Sequence, residues 1–241
     1  MSSLPVLNST HVLIIYGGLC GLLYIETDGF RREASYVNIM PTLSLTILAL
    51  TLRMKRKTKL FTSLTFFVFG MYNLLTKVSR KSNLPLGVYL NSSQWHNKLQ
   101  IVCGLFTIAH ILYISSFTLS IRRLWLGCAV VVTTYVIAFL YVCFVDLFWS
   151  IPILILNLSL HFIILGISLI AAGSIWHYGS EREDVREASL LRFLGLLSFM
   201  AFASLLLHDR FGSRINGFNY ISTVLFYIGQ PLLFVANQRT F

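Results

Sequence analysis

Cys103-Gly-Leu-Phe-Thr-Ile-Ala-His110-Ile-Leu-Tyr113-Ile-Ser-Ser-Phe117 is an apolar run that carries one histidine and one tyrosine. With its flanks, from residue 99 to 119, it is long enough to cross a bilayer, which takes about 17–25 residues of helix. An ionisable group at membrane depth is costly, about 2.5 kcal/mol or more for a charge at the helix centre, so His110 is a functional-site candidate by default. Reading this stretch as a span sets the class of the whole chain.

The flanking sequence has the same texture. Of 241 residues, 56% are hydrophobic and 12% charged, against about 25% charged in an average soluble domain, and the mean hydropathy is +0.75. Apolar runs lie near 11–25, 36–52, 60–76, 99–119, 124–144, 149–175, 188–207 and 219–236. The chain therefore reads as all-α, a polytopic transmembrane bundle of about eight spans, forming one integral membrane domain over 1–241. The break between the fifth and sixth runs rests on Asp146 and Trp149-Ser-Ile-Pro152 alone; without it the count falls to seven. The first twenty-five residues contain no Lys or Arg and no small-residue cleavage site, so the first run reads as a span and not as a removed signal peptide.

A net charge of +10 suggests nucleic acid in a soluble protein, but here the basic residues cluster between apolar runs and set orientation instead. Arg53-Met-Lys-Arg-Lys-Thr-Lys59 is the densest cluster, an anchor or an anionic-lipid contact. Arg122, Arg123, Arg182, Arg186, Arg192 and Arg239 fall on the same side, which places both termini in the cytosol. Of the glycosylation sequons, Asn91-Ser-Ser falls on the lumenal side, Asn8-Ser-Thr on the cytosolic tail and Asn157-Leu-Ser inside a span. Ser180 and Glu183 form a capping box before the seventh span. Short spans suit the thinner bilayer of the endoplasmic reticulum.

Residues three and four apart share a helix face. His110 with Tyr113, Asn157 with His161, and Tyr227 with Gln230 are such pairs, and together they predict a polar pocket between three helices; the alternative is hydrogen-bonding glue between spans. No second histidine lies at ligand spacing to His110, and Cys20, Cys103, Cys128 and Cys143 are widely separated, so no metal and no other cofactor is expected. Gly17 and Gly21 form a GxxxG pair, for packing within the bundle or for a homo-oligomer. No Gly-x-Ser-x-Gly elbow, phosphate-binding glycine loop or His-Glu-x-x-His occurs. Asp209-Arg210-Phe211 is similar to a receptor triplet, but its place before the last span makes that a poor match.

The run Gly104-x5-His110-x2-Tyr113-x3-Phe117 resembles the fourth span of the YhhN-like lysoplasmalogenase family of eight-span membrane proteins. Pro41, Gly70 after a phenylalanine-rich run, the block from Gly195-Leu-Leu-Ser-Phe199 to Asp209-Arg210-Phe211, and Phe226-Tyr227-Ile-Gly-Gln230 extend the resemblance over most of the chain. It implies hydrolysis of the vinyl ether bond of lysoplasmalogens, with membrane lysophospholipids as the partners. Such chemistry calls for an acid to protonate the enol ether and a base to deliver water. The family's Gly-Asp and Ser-Asp pairs read here as Gly70-Met71 and Phe202-Ala203, so both acids are replaced. The nearest carboxylate, Asp209, lies six residues beyond Ala203, about 9 Å along a helix. The resemblance thus implies a diverged member with a lysolipid-type pocket walled by His110, Tyr113, Asn157, His161, Tyr227 and Gln230. A hydrolase using His110 as acid or base is the second expectation, and a multi-pass transporter or receptor-like protein the third.

Overall fold

In a computed structural model, the structure describes residues 9–30, 37–52, 54–78, 92–118, 121, 123–179, 183–211 and 215–240. Among them are eight α-helices and no strand: α1 Ser9–Glu26, α2 Met40–Thr51, α3 Arg56–Val78, α4 Ser92–Ser115, α5 Leu126–Phe144, α6 Pro152–Tyr178, α7 Glu183–Phe211 and α8 Phe218–Thr240. The doubtful break is real: residues 145–150 form turns after α5, and Pro152 opens α6 in its first turn, where a missing N–H costs nothing and the fixed φ suits a helix start. Pro41 does the same for α2, directly after a 3-10 turn at Val37–Ile39. By length and composition α1, α5 and α6, Glu183–Asp209 of α7 and Tyr220–Arg239 of α8 can cross a membrane, while Val37–Thr51 and Leu99–Ser115 are shorter apolar stretches. The helix count is met, but the full spanning criterion is met by five. Asn8, Asn91 and Ser180 lie outside the described residues.

The exterior carries many large apolar side chains. Ile14, Ile25, Leu126, Val130, Val142 and Leu156 all point outward, a surface that water would not tolerate and that lipid solvates. The bundle is an integral membrane protein. Inside, helices approach where glycines allow it. A Cβ on Gly195 would fall 2.6 Å from Leu233 and 3.2 Å from the Gly229 carbonyl, and one on Gly229 would fall 2.9 Å from Phe199. The α7–α8 crossing therefore has no room for a side chain at either position.

Helix α1 stands apart from this tight packing. It touches α2 and α8 through a narrow seam of Val12, Tyr16 and Leu23. Gly17 and Gly21 are exposed, and a Cβ on either meets nothing within 4 Å. The expectation that the GxxxG pair packs within the bundle is not met, because that face of α1 is open.

Candidate functional site in the histidine core

His110 on α4 and His161 on α6 meet at the centre of the bundle, ring centroids 5.4 Å apart at 66°. Both are buried, and phenylalanines enclose them: Phe106 and Phe199 contact His110 at 5.7 and 5.4 Å, Phe69 at 5.6 Å, and Phe106 also meets His161 at 5.6 Å. Phe69 stacks on Phe199 at 5.1 Å, and each such pair adds about 0.5–1.5 kcal/mol beyond its buried area. The His110 Nδ1 lies 2.8 Å from the Phe106 carbonyl. A carbonyl only accepts, so Nδ1 carries a proton, and in the neutral ring Nε2 is the basic nitrogen. Nε2 of His110 and Nδ1 of His161 have no hydrogen-bond partner.

Beside His161 lies a cavity of about 30 Å³, walled by Cys103, Phe106, Leu158, Phe202 and Ala203 among others. That is room for a water-sized molecule and not for a lipid chain. Ala203, where the resemblance described above implies the second acid, thus lines the histidine cavity. Met71 does not: it is 36% exposed on the outside of α3. Among the described residues no Asp or Glu is buried, and Asp209 instead accepts a hydrogen bond from the Ile215 N–H between α7 and α8, 3.2 Å. No group of three or more His, Cys, Asp or Glu suited to a metal occurs among the described residues.

The expected single polar pocket divides into separate centres. Gln230 is fully buried on α8, where its Oε1 accepts from Thr42 at 2.9 Å and, more weakly, from Tyr16 at 3.5 Å. Tyr227 donates to the Asn38 carbonyl at 2.7 Å. Pro231 has no N–H to give the Tyr227 carbonyl four residues back, and the Tyr16 hydroxyl fills that vacancy at 2.9 Å. Tyr113 donates to the Leu233 carbonyl at 3.2 Å. Asn157 donates to the Gln100 carbonyl at 2.9 Å, bridging α6 to α4 away from the histidines. The glue reading therefore describes Asn157, Tyr227 and Gln230, while His110 and His161 form the candidate site.

A third centre was not foreseen. Arg192, counted from the sequence among the basic residues of the cytosolic side, is fully buried on α7. Its guanidinium sits 4.6 Å over the Phe117 ring and donates to Asn237 at 3.1 Å. Asn237 in turn donates to Thr62 and Ser116 at 2.9 and 3.2 Å. A charge at the start of an apolar run carries no local signal that distinguishes anchor from core.

With this geometry in place, comparison with known proteins gives one result: a model of the YhhN family matches residues 34–237. The chain belongs to the YhhN family. No curated protein and no solved structure matches it. The YhhN match takes in α2 to α7 and most of α8, with both histidines, Ala203 and Gln230; α1 precedes it.

Proposed function

We propose that this YhhN-family protein is a diverged lysoplasmalogenase-like membrane protein that binds lysophospholipid-type lipids and has lost, or greatly weakened, hydrolysis of the vinyl ether bond. One observation carries the reading: the cavity beside His161 presents Ala203 where the resemblance calls for an acid, and no described carboxylate is buried anywhere in the bundle. Protonating an enol ether at neutral pH needs a shielded acid, and a neutral imidazole ringed by phenyl groups is a base without one. A second reading keeps an enzyme, because His110 Nε2 and His161 Nδ1 remain unpartnered and His161 lines a cavity of water size. We place the protein in the endoplasmic reticulum with both termini cytosolic. The positive-inside argument supports that orientation even with Arg192 removed from the count.

The test is purified protein with an alkenyl lysophospholipid, scored for fatty aldehyde. The first reading predicts binding without aldehyde in the wild type. The second predicts aldehyde from the wild type that disappears in His110→Ala.

A further inference from the structure

His110 has no second histidine at ligand spacing on its own helix, but the fold supplies one from α6. We propose that His110 Nε2 and His161 Nδ1 form a two-coordinate site for one soft monovalent ion, Cu(I), at the phenyl-lined centre of the bundle.

Both nitrogens are buried, neither has a hydrogen-bond partner, and they do not bond each other. A buried polar atom left in that state is costly, and a bound ion is one of the few things that account for it. The His110 ring is already set as a ligand. Its Nδ1–H donates to the Phe106 carbonyl at 2.8 Å, the arrangement that fixes tautomer and ring orientation in metal-binding histidines. Nε2, on the other edge of the ring, keeps its lone pair. No hydrogen bond holds a proton on His161 Nδ1, so that nitrogen is free to present a lone pair as well. The spacing fits. A ring nitrogen lies about 1.1 Å from its centroid, so centroids 5.4 Å apart allow the two nitrogens any separation from about 3.2 Å upward, and a linear ion with bonds of about 1.9 Å needs about 3.8 Å.

The surroundings select the ion. Among the described residues no three His, Cys, Asp or Glu come together and no carboxylate is buried. Zinc therefore lacks its four ligands, and calcium or magnesium lacks carboxylate oxygens. A closed-shell Cu(I) ion is satisfied by two imidazole nitrogens in a line. The cost of burying an ion rises with the square of its charge, so a divalent ion here costs about four times a monovalent one. The rings of Phe69, Phe106 and Phe199 lie 5.6, 5.7 and 5.4 Å from that of His110. They hold off the water and oxygen donors that favour the divalent state. The cavity of about 30 Å³ beside His161 gives a single ion without its hydration shell a place to approach.

The experiment titrates the purified full chain in detergent, without oxygen, against Cu(I) held by bicinchoninate, and records X-ray absorption on the loaded sample. Wild type is expected to take one Cu(I) per chain from the chelator. Its spectrum should show the intense edge peak of two-coordinate Cu(I) and two nitrogen neighbours at about 1.9 Å. That readout needs no variant to fold. His110→Phe and His161→Phe, which extend the phenyl shell, should each weaken retention by about a hundredfold, measured on samples that elute like the wild type in gel filtration. His177→Ala at the end of α6 and Cys143→Ser on α5 leave retention unchanged. No uptake by the wild type, which is the result if a water bridges the two nitrogens instead, overturns the assignment. So does sulfur or a third ligand in the spectrum, undiminished retention in both histidine variants, or equal retention of zinc. None of these outcomes bears on the lysolipid reading, which is tested by bound lipid and aldehyde.

Discussion

Tyr16→Phe removes one hydroxyl, and its cost follows from Pro231. In an unbroken helix the N–H of residue 231 would donate to the Tyr227 carbonyl; proline has none, and the Tyr16 hydroxyl supplies the bond instead, 2.9 Å. Deleting that hydroxyl leaves a buried carbonyl without a donor. Hydrogen bonds between membrane helices average about 0.6 kcal/mol and reach about 1.7, and an unsatisfied buried acceptor costs about 1–3 kcal/mol. Tyr16→Phe should therefore destabilise the protein by about 1–2 kcal/mol. Gln230 adds little to that figure, since Thr42 still donates to its Oε1 at 2.9 Å. In a Pro231→Ala background the helix provides its own donor, and the same substitution should cost no more than about 0.5 kcal/mol. The assay is a double-mutant cycle on reversible unfolding in mixed micelles. Independent sites add to within about 0.3–0.5 kcal/mol. If the two substitutions are additive within that margin, the Tyr16 hydroxyl is not the replacement donor and the argument for how α1 attaches to α8 is wrong.

Three further outcomes follow from the packing. Gly195→Ala should destabilise by about 1–3 kcal/mol through overpacking at the α7–α8 crossing, read as a lower unfolding midpoint, because its Cβ would lie 2.6 Å from Leu233. Gly17→Ala should be neutral or stabilising by up to about 1 kcal/mol in the same assay, since it meets nothing and removes a flexible helical glycine. Arg192→Lys should cost about 1–3 kcal/mol despite keeping the charge: the planar guanidinium over Phe117 and its bond to Asn237 are not reproduced by an ammonium.

Much of the bundle was legible because apolar runs and their breaks are local. Pro152 marks the start of α6, and a turn at residues 145–150 separates it from α5. Helical spacing also identified Tyr227 with Gln230 and Asn157 with His161 as faces turned inward. Spacing does not say which faces meet. His161 joined His110 across two helices, while Asn157, one turn away on the same face, went to the Gln100 carbonyl. Tyr16 and Thr42 are ordinary span residues by sequence, and their roles exist only because Pro231 and Gln230 lie opposite. Arg192 was misread for the same reason: Asn237, which receives its hydrogen bond, lies 45 residues away. Met71, adjacent to Gly70 in sequence, faces outward because one residue is about 100° of helix turn.

The central claim is a family fold that keeps lysolipid recognition without the acids for turnover. Its most direct test is a purified wild-type sample with excess alkenyl lysophospholipid, monitored at once for bound lipid and for free aldehyde. One lipid bound per chain with no aldehyde above the protein-free control is the predicted result. Repeated turnover, with aldehyde exceeding the protein many times over, contradicts the account.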